Sequence, residues 1–338
     1  VILITGGTGL LGSHVVANQL IRNHSVRVLY RDDNRKKIVL HLLKYYYPAE
    51  YQQLYDKIEW FRGDILDTSD LTDAMENVDV VIHCAAVVSF KRKDFHKLWK
   101  INREGTANVV NVALNLNVKK LVHVSSTAAI GSDSQFTDGI KRETNHWNAN
   151  EAASTYSYTK FSAEKEVWRG IEEGLNAVIV NPSVMFGPGS WDETSLTIFK
   201  TLDNGLKYYT DGGNAFVDVR DVADLISILV DNDIHSERFL VIGQNLKFKE
   251  LFDKISEEMR IRSPHKLAGS GLTELAWMLS SLKAYFTGKS SALTKESARS
   301  SQKTVRYSSE KLMKTFPDFK FRTLEDTISN TIKGRLLP

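Results

Sequence analysis

Eight residues near the start of the chain, Thr5-Gly6-Gly7-Thr8-Gly9-Leu10-Leu11-Gly12, constrain its fold more than any other stretch. They follow the apolar run Val1–Ile4 and lead into Val15, Val16 and Leu20, which recur at helical spacing. Glycines at 6, 9 and 12 permit a tight turn, a close backbone approach to a pyrophosphate, and close packing of helix on strand. The helix start then offers N–H groups and the positive end of its dipole to phosphate. Strand, glycines and helix in this order predict a dinucleotide site lined by Gly6, Thr8, Gly9, Leu10, Leu11 and Gly12.

Further short apolar runs follow at Val26–Tyr30, Ile58–Phe61, Val78–His83, Leu121–Val124, Ala177–Val180 and Phe239–Ile242. They lack strict alternation, as strands buried on both faces do. Helical patterns lie between them, at Leu71–Met75, Asn102–Leu116 and Tyr158–Ile171. The alternation predicts an α/β fold, a doubly wound parallel sheet. The pattern weakens after Phe186, where turn residues cluster at Gly187-Pro188-Gly189 and Asp211-Gly212-Gly213. A dinucleotide-binding domain is therefore expected over 1–183, with 214–243 returning to it. A smaller, interleaved C-terminal substrate domain would take 184–213 and 244–338. Within it, Leu272, Leu275, Met278, Leu279, Leu282 and Phe286 recur at helical spacing, a helix packed on the core or on a neighbouring subunit.

Composition narrows the classes. With 42% hydrophobic residues and a net charge of +3 the chain is globular rather than disordered. No basic stripe suggests nucleic acid, and no apolar stretch approaches the ~18 residues of a membrane span. The chain opens on its first strand without a Met or a leader, so a few residues ahead of it are expected. A single cysteine, Cys84, fits a reducing compartment, and a cytoplasmic location is expected.

The end of the second strand decides which dinucleotide is bound. An acid there accepts from a ribose 2′-OH, whereas an Arg accommodates a 2′-phosphate. Tyr30 occupies the acidic position and Arg31 follows, with Arg35, Lys36 and Lys37 beyond. NADP is the expected cofactor, while Asp32 and Asp33 keep NAD open.

Tyr156 and Lys160 stand at i and i+4, on one helix face. Upstream, Val124-Ser125-Ser126-Thr127 closes a strand with hydroxyls at the carboxyl edge of the sheet, where ligands of open α/β sheets bind. With these in place, the chain resembles the extended short-chain dehydrogenase/reductase family, the NAD-dependent epimerase/dehydratase superfamily with its Rossmann fold. The resemblance runs over nearly the whole length. It is carried by Thr5–Gly12, Gly63-Asp64-Ile65, His83-Cys84-Ala85-Ala86, Asn102 with Gly105-Thr106, Ser125-Ser126-Thr127, Tyr156 with Lys160, Pro182–Gly189 and Phe216–Ala223.

The resemblance implies roles. Tyr156 would be the general acid/base, and Lys160 would lower its pKa and hold the nicotinamide ribose. Thr127 would hydrogen-bond the substrate oxygen, with Ser126 as its substitute. Asp64 and Ile65 would contact the adenine, and Ala85 and Ala86 would line the cofactor. Asn102 and Ser125 would belong to the same site, and the backbone from Pro182 to Val184 would face the nicotinamide. Other chemistries are poorly served: Cys84 reads as buried structure, and His83, His123 and His146 lack metal-ligand spacing, so no metal is expected. No Gly-x-Ser-x-Gly elbow offers a nucleophilic serine.

Within that family, reductases turn cofactor over, nucleotide-sugar epimerases and dehydratases retain it, and some members only sense it. Intact Tyr156, Lys160 and Thr127 argue against a sensor. Asn181-Pro182 and Asn214-Ala215-Phe216 stand where sugar-nucleotide enzymes tend to carry arginines for the diphosphate. The expectation is an NADP-dependent oxidoreductase acting on the ketone, aldehyde or alcohol of a small, apolar substrate. It is most similar to dihydroflavonol-4-reductase-like and 3β-hydroxysteroid dehydrogenase-like members. A nucleotide-sugar epimerase/dehydratase is the alternative. The family also implies a homodimer.

Overall fold

The computed structural model describes residues 1–133, 135–148, 154–269 and 300–336. The apolar segment 272–286 lies outside them. Seven parallel strands form the large sheet: β1 (Ile2–Thr5), β2 (Val26–Tyr30), β3 (Glu59–Arg62), β4 (Val80–His83), β5 (Lys120–Val124), β6 (Ala177–Pro182) and β7 (Glu237–Val241). Their order is β3-β2-β1-β4-β5-β6-β7, so the sheet is wound outward in both directions from β1 and β4. β1, β5 and β6 are buried at every position, which is why their sequences are mostly apolar without strict alternation.

The period of two sorts these strands onto two cores. Ile2, Ile4, Val28, Ile82, Val122 and Val178 face one cluster, under α1 (Leu10–Ile21) and a helix at Val219–Val230. Leu3, Val81, Leu121, Ala177 and Ile179 face the other. There they meet α2 (Gly105–Asn115) and α3 (Thr155–Glu172), through residues such as Val109 and Val167.

A smaller three-stranded sheet pairs Val184–Phe186, Gly213–Asp218 and Gln244–Lys247. It has its own core of Phe186, Trp191, Phe199, Phe216, Leu251 and Ile328. Gly213–Asp218 pairs in the small sheet, with Phe216 in that sheet's core, while Val217 and then Val219 onward pack in the large core. Among the described residues, no helix is long and apolar enough to cross a membrane.

Candidate active site

The carboxyl ends of β1, β4, β5 and β6 converge on one edge. At the first, Gly6 has φ +70°, and a Cβ there would lie 2.6 Å from the Ala85 backbone nitrogen, so only glycine fits. Gly12 is pressed just as closely against the backbone of Gly6. The chain then enters α1 through Gly9, with no side chain capping the helix and no acid in its first turn. Its first N–H groups are left for an external anion. Ala85 and Ala86 leave β4 beside this turn, partly exposed and exposed respectively. Ser125 at the end of β5 is buried, with a hydroxyl that has no partner. An uncapped helix start, a glycine cradle and an orphaned buried hydroxyl on one sheet edge fit a bound dinucleotide.

The adenosine end differs from expectation in its cations. Arg35 donates to both oxygens of Glu193, at 2.7 and 2.8 Å, and to the Thr8 carbonyl at 3.3 Å. Lys36 pairs with Asp33 at 2.8 Å and sits 3.8 Å over the Tyr30 ring. Arg31 stays 56% exposed in its side chain, 3.3 Å from Asp64. Asp64 in turn accepts from the Leu66 N–H and its own N–H donates to Asp70. The Ile65 side chain is buried in the core against Gly105, leaving its backbone near the edge. Asn102 accepts at Oδ1 from the Val87 N–H, and its Nδ2 donates to the Val87 carbonyl and to Thr159. These bonds fix the loop after β4 beside the glycine turn. Pro182 closes β6 in the core, and Val184 opens the small sheet against Phe216.

α3 begins at Ser154, whose hydroxyl caps the Ser157 N–H, and carries Tyr156 and Lys160 one turn apart. Burial pushes the Tyr156 pKa up, and the nearby Ser126 hydroxyl offsets this only in part. Tyr156 is therefore a loaded proton donor at neutral pH. Of the two adjacent hydroxyls, that of Ser126 is the one that acts on the Tyr156 pKa. Thr127 opens a buried 3₁₀ turn, and Ser126 sits extended just before it. The Lys160 ammonium donates to the Val124 carbonyl at 2.9 Å, and burial lowers its pKa to about 8. Lys160 does not touch Tyr156 here, so the expected depression of the tyrosine by the lysine is absent from this arrangement.

Beneath the site, His83 is held between Thr5 at 2.7 Å and Thr106 at 3.0 Å, and its ring lies 5.3 Å from that of His123. Burial keeps both imidazoles neutral. It also pushes the Cys84 thiol up to about 12, leaving an inert side chain. Phe90, 43% exposed, packs edge-on to Tyr156 with ring centres 5.9 Å apart. Exposed Val88 lies two residues before it.

Asn181 is buried within β6, where its Nδ2 donates to the Ser126 carbonyl at 2.9 Å and to Glu164 at 2.5 Å. Its place in the sequence had been read as a missing cation for a diphosphate. The structure turns that residue inward, so its identity says nothing about such a substrate. Glu164 was not anticipated. It signalled itself only as the residue one turn beyond Lys160.

Fold and site together define a nicotinamide-dinucleotide enzyme of the doubly wound α/β class. The model of the NAD dependent epimerase/dehydratase family matches residues 2–243, and the chain belongs to that family. It is an NAD(P)-dependent short-chain dehydrogenase/reductase acting on CH–OH/C=O groups. Sterol demethylase protein B of Methylococcus capsulatus is 29% identical over 261 residues, covering 75% of this chain and 73% of that protein. A putative dihydroflavonol 4-reductase of Synechocystis is 32% identical over 225 residues, covering 65% of this chain and 60% of the relative. The crystal structure of gox2253 superposes with a TM-score of 0.79 at 28% identity, covering 99% of this chain and 97% of that one.

Proposed function

We propose that the protein is an NADP-dependent oxidoreductase that reduces the ketone or aldehyde of an apolar substrate, or oxidises the corresponding alcohol. The observation that carries this reading is the Tyr156 hydroxyl. Burial keeps it protonated, Ser126 lies beside it, and the exposed rim of Phe90 and Val88 flanks it. A carbonyl oxygen seated between Tyr156 and Ser126 would receive two hydrogen bonds and then the tyrosine proton. When bound, the dinucleotide supplies the hydride for the carbonyl carbon, or accepts it in oxidation. Glycines 6, 9 and 12 would hold its pyrophosphate and Ser125 would meet it at the end of β5. The Lys160 ammonium, turned from Val124, would reach its ribose.

The substrate class is supported by apolar side chains next to the proton donor and by the relatives. Besides the sterol demethylase component and the dihydroflavonol reductase, a decarboxylating sterol-4-alpha-carboxylate 3-dehydrogenase of Candida albicans is 32% identical over 194 residues, 56% of this chain and 51% of its own. A 3-keto or 3-hydroxy sterol and an aromatic ketone are accordingly the first substrates to try. For the cofactor, Arg31 would exchange Asp64 for a 2′-phosphate. An exposed ion pair contributes only about 0–1 kcal/mol, so the exchange costs little. The test is NADPH oxidation on addition of 3-ketosteroids and aryl ketones, beside a thermal-shift screen of NAD(H), NADP(H) and sugar nucleotides. Turnover of NADPH with an apolar carbonyl is the expected result. Strong stabilisation by a sugar nucleotide with tightly retained NAD would overturn it.

A further inference from the structure

Tyr156, Lys160 and Glu164 follow one another at four-residue intervals on α3, and Glu164 is only 1% exposed. A carboxylate at that depth must be paired or neutral. Glu164 is paired on both oxygens: one accepts from Asn181 at 2.5 Å, the other from Arg238 on β7 at 3.0 Å. Arg238 also donates to the carbonyl of Glu143, whose carboxylate accepts from the Leu240 N–H. Both partners of the Asn181 Nδ2 are acceptors, so the orientation of that amide is fixed. One connected set of bonds thus runs from Arg238 through Glu164 and Asn181 to the Ser126 carbonyl.

We infer that Glu164 is a positioning residue for the reaction, acting in two ways. Through Asn181 it fixes the backbone at Ser126, beside Tyr156. Through its charge it sets the field at Lys160 and Tyr156, one and two turns away on the same helix. Other ionisable groups around Lys160 do not supply that charge: His83 and His123 are neutral and Cys84 is protonated. Arg238 adds a second cation, with Glu143 beyond it. Glu164 is the anion between the two cations.

The test needs no substrate, so its failure and that of the proposed substrate class are distinguishable. The full-length protein is saturated with NADP⁺ or NAD⁺, whichever binds. Ultraviolet tyrosinate absorbance is titrated against pH and referenced to Tyr156→Phe. Glu164→Gln keeps the shape but removes the anion, so the Tyr156 titration should move to lower pH by about one unit. Arg238→Gln leaves Glu164 unopposed and should move it to higher pH. Asn181→Leu releases Ser126, whose nearby hydroxyl lowers the tyrosine pKa, and should also raise it. A purely structural network would lower the melting temperature in all three and leave the titration in place. That result overturns the inference. If Glu164→Gln does not fold, the upward shift in Arg238→Gln decides it, and an unmoved titration there overturns it.

Discussion

Arg35 grips both oxygens of Glu193, at 2.7 and 2.8 Å, across 158 residues of sequence. The same guanidinium bonds the Thr8 carbonyl in the glycine turn. The pair therefore ties the loop after Ser190 to the mouth of the dinucleotide site. Thr194, next to Glu193, has φ +49°, a left-handed conformation unfavourable for a β-branched residue. With side chains 36% and 42% exposed, the pair adds under about 1 kcal/mol to stability. Its expected effect is kinetic. Glu193→Gln should speed NADPH release several-fold in stopped-flow fluorescence while the melting temperature barely moves. An unchanged release rate would remove the pair from cofactor retention.

Tyr156→Phe removes the donated proton and nothing of the glycine cradle. Turnover should fall by about 10²–10⁴-fold while NADPH affinity stays near wild type. Comparing kcat with equilibrium cofactor binding checks it. Turnover near wild type would exclude Tyr156 as the acid.

Ser126 and Thr127 can be told apart. Ser126→Ala should lose roughly tenfold or more in kcat, the value of one hydrogen bond to a developing charge. Thr127→Val, which removes only the hydroxyl, should cost far less, because Thr127 lies in a buried turn. The reverse order of effects would restore Thr127 to the role first expected of it.

Arg31→Ala should weaken NADPH by about ten- to a hundredfold and leave NADH nearly unchanged, since only the 2′-phosphate is lost as a partner. Fluorescence titration with both nucleotides measures this. Equal losses would identify the Arg31–Asp64 pair as a support for the loop rather than a selector.

Lys160 predicts a dependence of stability on pH. Its pKa falls from 10.5 when free to about 8 in the fold, so between those values the unfolded chain holds more protons than the folded one. This contribution to stability therefore rises with pH through that window and is at its worst below about pH 8. Lys160→Met should be inactive yet more stable than wild type at neutral pH, by on the order of 2–3 kcal/mol. The advantage should shrink as pH climbs towards 10.5. Urea denaturation at several pH values measures it; a gap constant with pH would refute it.

The large sheet was legible because strands buried on both faces leave mostly apolar runs, and because the glycines at 6, 9 and 12 answer to backbone geometry alone. Tyr156 and Lys160 were legible through helical spacing. Ser126 could not be ranked above Thr127, since adjacent hydroxyls leaving a strand differ only in the turn that follows. The partners of Asn102 and Asn181 were not legible, because an amide binds a ligand or its own backbone equally well, and only the fold says which. The partner of Arg35 was not legible, its anion lying far off in sequence at Glu193. The pairing of 213–218 in the small sheet was not legible, because local pattern does not reveal that Phe216 serves that sheet's core.

The outermost strand of the large sheet, Glu237–Val241, reaches it only after the chain has passed through the small one. During synthesis β6 must therefore wait with an open edge until Val241 has left the ribosome, and Arg238 arrives on that same strand to close the Glu164 network. The cofactor half is not a module that could be cut free at 183 or lent to another protein. A nascent chain halted before Glu237 would carry the glycine turn, Tyr156 and Lys160, but would keep a bare hydrogen-bonding edge and a buried acid without its cation.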